Sequence, residues 1–310
     1  MNIYGFKKIS KTYRGLINGI EKHNDNLIIL DSVPKKLQDA ECFYQTNIAK
    51  SKHFISDYHN DTFGVKYNFI KKQKKPVLVS ESACFRNTNW RRYGWNHYGW
   101  TSGNFNNKNV DDSRWKNFEK KTNTTIQPWT SLGDNIIIIG QKEGDSALNS
   151  LYTEFGYNNF FDWVSDIISE IRQYSDRKII IRPHPKNIAR SIRRSKHIPN
   201  NFKNVEVSNY TPTGTYSGGE SLDAELANAY CVITFSSNAG VDAVVKGIPV
   251  YAFDKDSMVY PLSQGKLSSI ENLNYDMPIK DWQNKIAYTF WNTEELESGE
   301  TWAHLKPVYF

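Results

Sequence analysis

The sequence predicts an α/β protein made of two doubly wound domains with a cleft between them and a C-terminal helix. Three observations carry that prediction. In the second half, short runs of branched aliphatic residues alternate with helical patterns, at a spacing that calls for parallel strands joined by right-handed crossovers. In the first half, three further strand-like runs are separated by mixed segments. No apolar stretch approaches the roughly 20 residues of a membrane helix; the longest strand-like run is Ile136 to Ile139.

Along the first half, the strand-like runs are residues 27–30, 41–44 and 76–79. Residues 86–128 show almost no apolar period and read as a long, loop-rich excursion of the functional kind. Residues 135–139 form a doubly buried strand that stops at Gly140. Phe160, Phe161, Val164, Ile167, Ile168 and Ile171 recur at helical spacing. Residues 178–182 are the next strand, stopped by Pro183 and Pro185. A helix over 221–229, a strand over 231–235, a helix over 239–246 closed by Gly247 and a strand over 249–253 follow. After Asp281 an amphipathic helix with Trp282, Ile286, Phe290 and Trp291 is expected to run on towards Leu296. The implied domains are 1–128, 129–280 and a tail, 281–310, that crosses back to the first.

Composition narrows the function classes. With 310 residues, 39% apolar and 23% charged, the chain is large and apolar enough for two cores and is not a disordered protein. Its N-terminus lacks the apolar core of a signal peptide. Cys42, Cys84 and Cys231 follow no zinc or disulfide spacing, so a reducing, cytoplasmic setting is expected. Residues 1–128 carry 22 basic against 11 acidic side chains, and residues 129–310 carry 17 against 22. The positive half suits a polyanionic partner, although a solvated lysine-rich face explains the charge equally well.

The richest segment runs from Thr234 to Val250. A strand leads into Ser236, Ser237 and Asn238 at a helix start, where free amides and the helix dipole can hold phosphate. Gly240 would let a ligand approach the backbone, and Asp242 is placed to accept hydrogen bonds from the hydroxyls of a ribose. Helix capping by Ser237 or Asn238 explains half of these residues without a ligand. Arg182 and His184 leave the end of a buried strand, where open α/β folds bind ligands; an arginine there can clamp a diphosphate, and the alternative is a turn stiffened by the prolines. Gly140, Gln141 and Lys142 open a further loop at the same edge.

Asp242 followed by Gly247, Pro249 and Val250 resembles the donor-binding segment of glycosyltransferases with two Rossmann-like domains, the GT-B fold, with Asp where that family mostly has Glu. Arg182-Pro183-His184-Pro185 is similar to segments of capsule and teichoic-acid polymerising transferases. The resemblance implies a nucleotide-sugar co-substrate, UDP-linked, with no bound cofactor. No Asp-x-Asp metal motif is present. An inverting transferase needs one base near the acceptor hydroxyl, and Glu81 at the end of a strand is the candidate; alternatively it pairs with Arg86 or Arg91. His97, Asp111 and Asp112 stand in reserve.

Between Arg86 and Lys116 lie four of the nine tryptophans, with six basic residues against two aspartates. Arg91, Arg92, Trp95, His97 and Trp100 are the acceptor candidates, offering cations for phosphates and rings for bases. The same rings could stack on sugars or form a local aromatic core. Together with the terminal run from Gly299 to Leu305, the pattern resembles uncharacterised transferases of large DNA bacteriophages. The expectation is therefore a glycosyltransferase acting on a hydroxymethylated pyrimidine in phage DNA. The alternatives are a capsule or surface-polysaccharide transferase, a non-catalytic nucleic acid-binding protein and a nucleotide-sugar epimerase.

Overall fold

The computed structural model describes residues 1–5, 11–34, 37, 39–46, 69–86, 88–130, 132–184, 198–208 and 221–310. The chain is an α/β protein of two Rossmann-like units, one drawn from residues 1–123 and 280–310 and the other from 124–279. In chain order, the first stretch supplies β1 (Asn2–Gly5), α1 (Lys11–Glu21), β2 (Asn26–Ile29), β3 (Cys42–Thr46), β4 (Val77–Ser82), β5 (Arg91–Trp95) and α2 (Ser113–Thr122). The middle supplies β6 (Asn135–Ile139), α3 (Asn149–Thr153), α4 (Phe160–Ile171), β7 (Ile179–Arg182), β8 (Val205–Val207), α5 (Leu222–Ala227), β9 (Ala229–Thr234), α6 (Ala239–Val245) and β10 (Val250–Ala252). The last stretch supplies α7 (Ile279–Ala287), β11 (Phe290–Trp291), α8 (Thr293–Ser298) and α9 (Glu300–Leu305).

The second unit follows the aliphatic pattern closely. Its sheet has the order β10-β9-β6-β7-β8, every pair parallel. All six residues of β9 are buried, as are Ile136 to Ile139 in β6, which is what a strand covered on both faces requires. The Asn159 side chain accepts hydrogen bonds from the Phe161 and Asp162 amides and so starts α4. That helix then buries Phe160, Trp163, Val164, Ile167, Ile168 and Ile171, three and four residues apart, in the sheet's core.

In the first unit the order is β11-β5-β4-β3-β1-β2. Strands β1 to β4 are parallel, and β5 and β11 are added antiparallel. Two expectations fail here. The stretch 86–128 is not a loop excursion: it contains β5 and α2, which bury Arg92, Tyr93, Trp95, Arg114, Trp115 and Phe118. Rings and guanidinium groups do the burying, so no aliphatic period marks it. Nor does one helix run from 281 to 296. Helix α7 ends at Ala287, Phe290 and Trp291 pair with β5, and Asn292 restarts a helix through a capping box with Glu295. Strands β1 and β8 and helix α1 were not foreseen.

No helix among the described residues is long and apolar enough to cross a membrane.

Candidate functional site

In the second unit the chain starts in the middle of the sheet at β6, moves outward through β7 to β8, then returns to the other side of β6 with β9 and β10. The reversal lies between β6 and β9, and open parallel sheets bind ligands outside the carboxyl ends of the strands at such a switch point. Four strands end level there: Ile139 pairs with Arg182 and with Thr234, and Thr234 pairs with Ala252. The residues that follow, Gly140 to Lys142, Pro183 and His184, Phe235 to Asn238, and Phe253 and Asp254, therefore leave from one edge.

Two contacts fix that edge. Gly140 donates its amide to the Arg182 carbonyl at 2.7 Å. A Cβ on Gly140 would stand 2.6 Å from that carbonyl oxygen and 2.9 Å from the His184 nitrogen, so the approach of the two loops requires glycine. Across the switch point, buried Gln141 donates from Nε2 to the Ser236 hydroxyl at 3.0 Å and accepts the Ser236 amide on Oε1 at 2.8 Å. The Ser236 hydroxyl in turn donates to the Ala147 carbonyl at 2.8 Å. Gln141 and Ser236 thus tie the loops after β6 and β9 together across the switch point.

The remaining candidates of this unit sort into several environments. Arg182 is held by an ion pair of 2.6 Å to buried Glu225, which also takes the Ser208 hydroxyl. Lys142 is only partly buried and makes no ion pair among the described residues, and His184 is also partly buried. Ser237 turns its hydroxyl back to the Ala239 amide at 3.3 Å, and exposed Asn238 stands at the helix start with no side-chain cap bond. Asp242 lies in the first turn of α6 with its Oδ2 buried, so a two-oxygen grip on a ribose would need the side chain to turn. Gly240 is small for a different reason from the one expected: a Cβ there would meet Val259 Cγ2 at 2.8 Å, a packing constraint. Pro185 lies outside the described residues.

Sequence reasoning missed Glu225, Ser208 and Asp254 at this edge. Asp254 lies two residues past the end of β10, is buried, and receives the Ser150 hydroxyl and the Asp256 amide. Burial pushes its pKa up. Its position just past the last strand was the available signal, one that the other three loops had already taught.

In the first unit, Glu81 sits at the carboxyl end of β4, partly buried. Its carboxylate accepts the Ser82 amide at 2.6 Å and makes no ion pair with Arg86 or Arg91 among the described residues. Arg91 reaches the Ser80 hydroxyl at 3.5 Å. His97 stacks on Tyr98 with ring centroids 4.6 Å apart and accepts the Gly99 amide on Nδ1, and Trp100 is partly buried. Two candidates are core residues. Trp95 is completely buried, gives its indole N–H to the Leu305 carbonyl at 2.8 Å and lies among Trp302, Tyr309 and Phe310, so its ring has no face for a base. Arg92 is 3% exposed and donates to the Ser82 carbonyl, so it cannot meet a phosphate.

Arg114, another cation of that segment, is buried as well. Its guanidinium meets both Glu295 oxygens at 2.9 and 3.3 Å and the carbonyls of Ala287 and Phe290, with the Trp291 ring 3.6 Å away. Trp90, Phe118 and Phe290 meet edge to face. Among the described residues, no group of His, Cys, Asp or Glu side chains is arranged to hold a metal ion.

No protein-family model matches this chain, and no curated protein matches it in sequence. Its fold is similar to two solved structures from Thermosulfurimonas dismutans. One is of KpsC, beta Kdo 2,4 transferase, with a TM-score of 0.56 and 13% identity over 93% of this chain and 90% of that one. The other is of KpsC, beta Kdo 2,7 transferase, with a TM-score of 0.54 and 14% identity over 99% of this chain and 100% of that one. At that identity the likeness concerns the fold.

Proposed function

We propose that this protein is a glycosyltransferase that takes a sugar from a nucleotide-linked donor held at the carboxyl edge of the second sheet and passes it to a hydroxyl of a surface-type glycan. The supporting observation is the level ending of four strands at the switch point, with Gly140, Gln141 and Ser236 locked across it. Donor diphosphate would be met by Lys142, Arg182 and the amides at the start of α6. Charge grows on the leaving phosphate as the sugar–oxygen bond breaks, so cations fixed beforehand lower the barrier. In the first unit Glu81 is assigned as the base that takes the acceptor hydroxyl's proton as its oxygen attacks the anomeric carbon.

The glycan acceptor is preferred to DNA because Arg92 and Trp95, two of the five residues that favoured DNA, are buried in the core, and so is Arg114 of the same segment. Fold likeness to two Kdo transferases supports the same choice. Titration calorimetry with a panel of nucleotide sugars, followed by mass spectrometry of oligosaccharides incubated with the donor that binds, tests the reading. Lys142→Ala is expected to weaken donor binding by roughly 10- to 100-fold, the worth of one charged hydrogen bond. Unchanged affinity in the folded variant would remove Lys142 from the site, and no binding of any nucleotide sugar would overturn the reading.

A further inference from the structure

The first unit contains an open cavity of about 840 Å³, within the size range of ligand sites. Its walls come from the loop after β5 and from the C-terminal helices, and Asn104, Asn106, Asn109, Asp111, Tyr288 and His304 carry its chemistry. Strand β5 runs antiparallel to β4, with Ser82 opposite Arg91 and Leu78 opposite Trp95. The Asn96 amide donates to the Val77 carbonyl, so the loop leaves β5 beside the amino end of β4. The cavity's loop thus starts from the sheet edge opposite the one that bears Glu81.

We propose that this cavity is a second saccharide-binding site, holding a hydroxyl-rich stretch of the glycan acceptor away from the reacting end. The inference rests on the transferase reading given above. Amides and carboxylates offer donors and acceptors for vicinal hydroxyls, while the apolar face of a sugar ring needs a flat surface. Tyr288 and His304 supply that surface, their ring centroids 4.9 Å apart. The polar wall is fixed in advance. Asn106, in left-handed backbone conformation, donates from Nδ2 to the His304 carbonyl at 2.7 Å, and the His304 Nε2–H donates to the Phe105 carbonyl at 3.0 Å.

Asp111 Oδ1 receives the Tyr288 hydroxyl, the Ser113 hydroxyl and the Ser113 amide, which hold the carboxyl below its ordinary range. Its Oδ2 and the Asn109 amide make no hydrogen bond among the described residues, so both are available to a ligand. Such preorganisation spares the cost of ordering side chains on binding.

The test is methyl NMR of the full chain, with Val110 and Val308 as reporters because both line the cavity. The probes are maltotriose, chitotriose and free Kdo, each titrated to tens of millimolar. At least one is expected to shift both valines saturably, with a dissociation constant of order 1 mM. Asn109→Ala, on an exposed loop, and Asp111→Ala are each expected to weaken that binding about tenfold, and a nucleotide sugar is expected to leave the two valines unmoved. No shift with any probe, or a shift that both variants leave unaltered, overturns the site. Sugar transfer without these shifts sinks the second site and leaves the transferase reading standing. Shifts without transfer do the reverse.

Discussion

The second unit buries branched aliphatic side chains, with Ile136 to Ile139, Ile167, Ile168, Ile179 and Ile181 filling the space beside its sheet, and keeps its polar candidates at the strand ends. The first unit buries rings and charge. Trp95, Trp291 and Trp302 share one core cluster, and the Arg114 guanidinium sits in a cage of two carboxylates, those of Glu295 and Glu300, two carbonyls and an indole. The difference teaches that a residue type carries function only through its exposure. Arginine and tryptophan side by side are equally a binding surface and a buried ion pair with its aromatic walls, and burial decides between them.

The largest expected effect breaks the cage. Arg114→Ala strips Glu295 of a buried partner and should cost the first unit about 3–5 kcal/mol. Arg114→Lys should rescue little, because an ammonium cannot meet a carboxylate and two carbonyls in one plane. The readout is built in: Trp90, Trp95, Trp100, Trp115, Trp282, Trp291 and Trp302 lie in the first unit, and only Trp129 and Trp163 lie in the second. Denaturation followed by tryptophan fluorescence should therefore move to lower denaturant. An unmoved midpoint would show that Arg114 is not the staple of this unit.

Next in size is an acid effect at Asp25, which is 3% exposed. Burial alone would push its pKa up, but hydrogen bonds from Lys306 and Trp302, both 2.7 Å, outweigh it and hold the carboxyl below its ordinary range. A lowered folded-state pKa stabilises the fold above the ordinary carboxylate range, and that stability is lost as pH falls through the folded value. Stability of the first unit should thus decline below about pH 4. Asp25→Asn should lower stability at neutral pH by about 1.5–3 kcal/mol, the worth of a charged hydrogen bond, and flatten the acid limb. Equal acid limbs in the two proteins would exclude Asp25 as the source.

What was legible in the sequence follows the same division. The strands and helices of the second unit show because aliphatic periodicity is a signal of burial alone. Gly140, Gln141 and Ser236 could be placed at one edge because each follows such a strand, yet their mutual hydrogen bonds could not be read, since nothing local in the sequence pairs residue 141 with residue 236. Glu225 was hidden for that reason too. Strand β11 was absorbed into a helix because Phe290 and Trp291 continue the spacing of Trp282 and Ile286, and only the Asn292 cap marks the break.

A smaller effect sharpens the crevice. Gly140→Ala places a methyl group 2.6 Å from a backbone oxygen, so the two loops must part, at a cost of about 1–3 kcal/mol. Nucleotide-sugar affinity should fall with little change in tryptophan fluorescence. Gly156→Ala, also in the second unit, is the control: its backbone is left-handed but nothing lies within 4 Å of the added carbon, so it should strain the chain and leave donor affinity alone. Equal losses of donor affinity in the two variants would detach Gly140 from the site.

The smallest effect is the one that separates the two acceptors. A DNA-binding surface built on residues 86–116 would lose one phosphate contact in Arg91→Ala, and the slope of log affinity against log salt would become shallower by about 0.9. Arg92 and Arg114 are buried and hydrogen-bonded, and Lys116 is paired with Asp112 at 2.9 Å, which takes three of the segment's six basic side chains from a phosphate surface. Arg91 itself is partly buried against Ser80. Duplex binding by the wild-type protein is therefore expected to be weak, and Arg91→Ala is expected to leave its salt slope unchanged. Fluorescence anisotropy of a labelled duplex across a salt series measures both quantities. A steep wild-type slope that Arg91→Ala reduces by about one contact would restore nucleic acid as the partner of the first unit, and would show that a few exposed cations around an aromatic core suffice to make a surface of it.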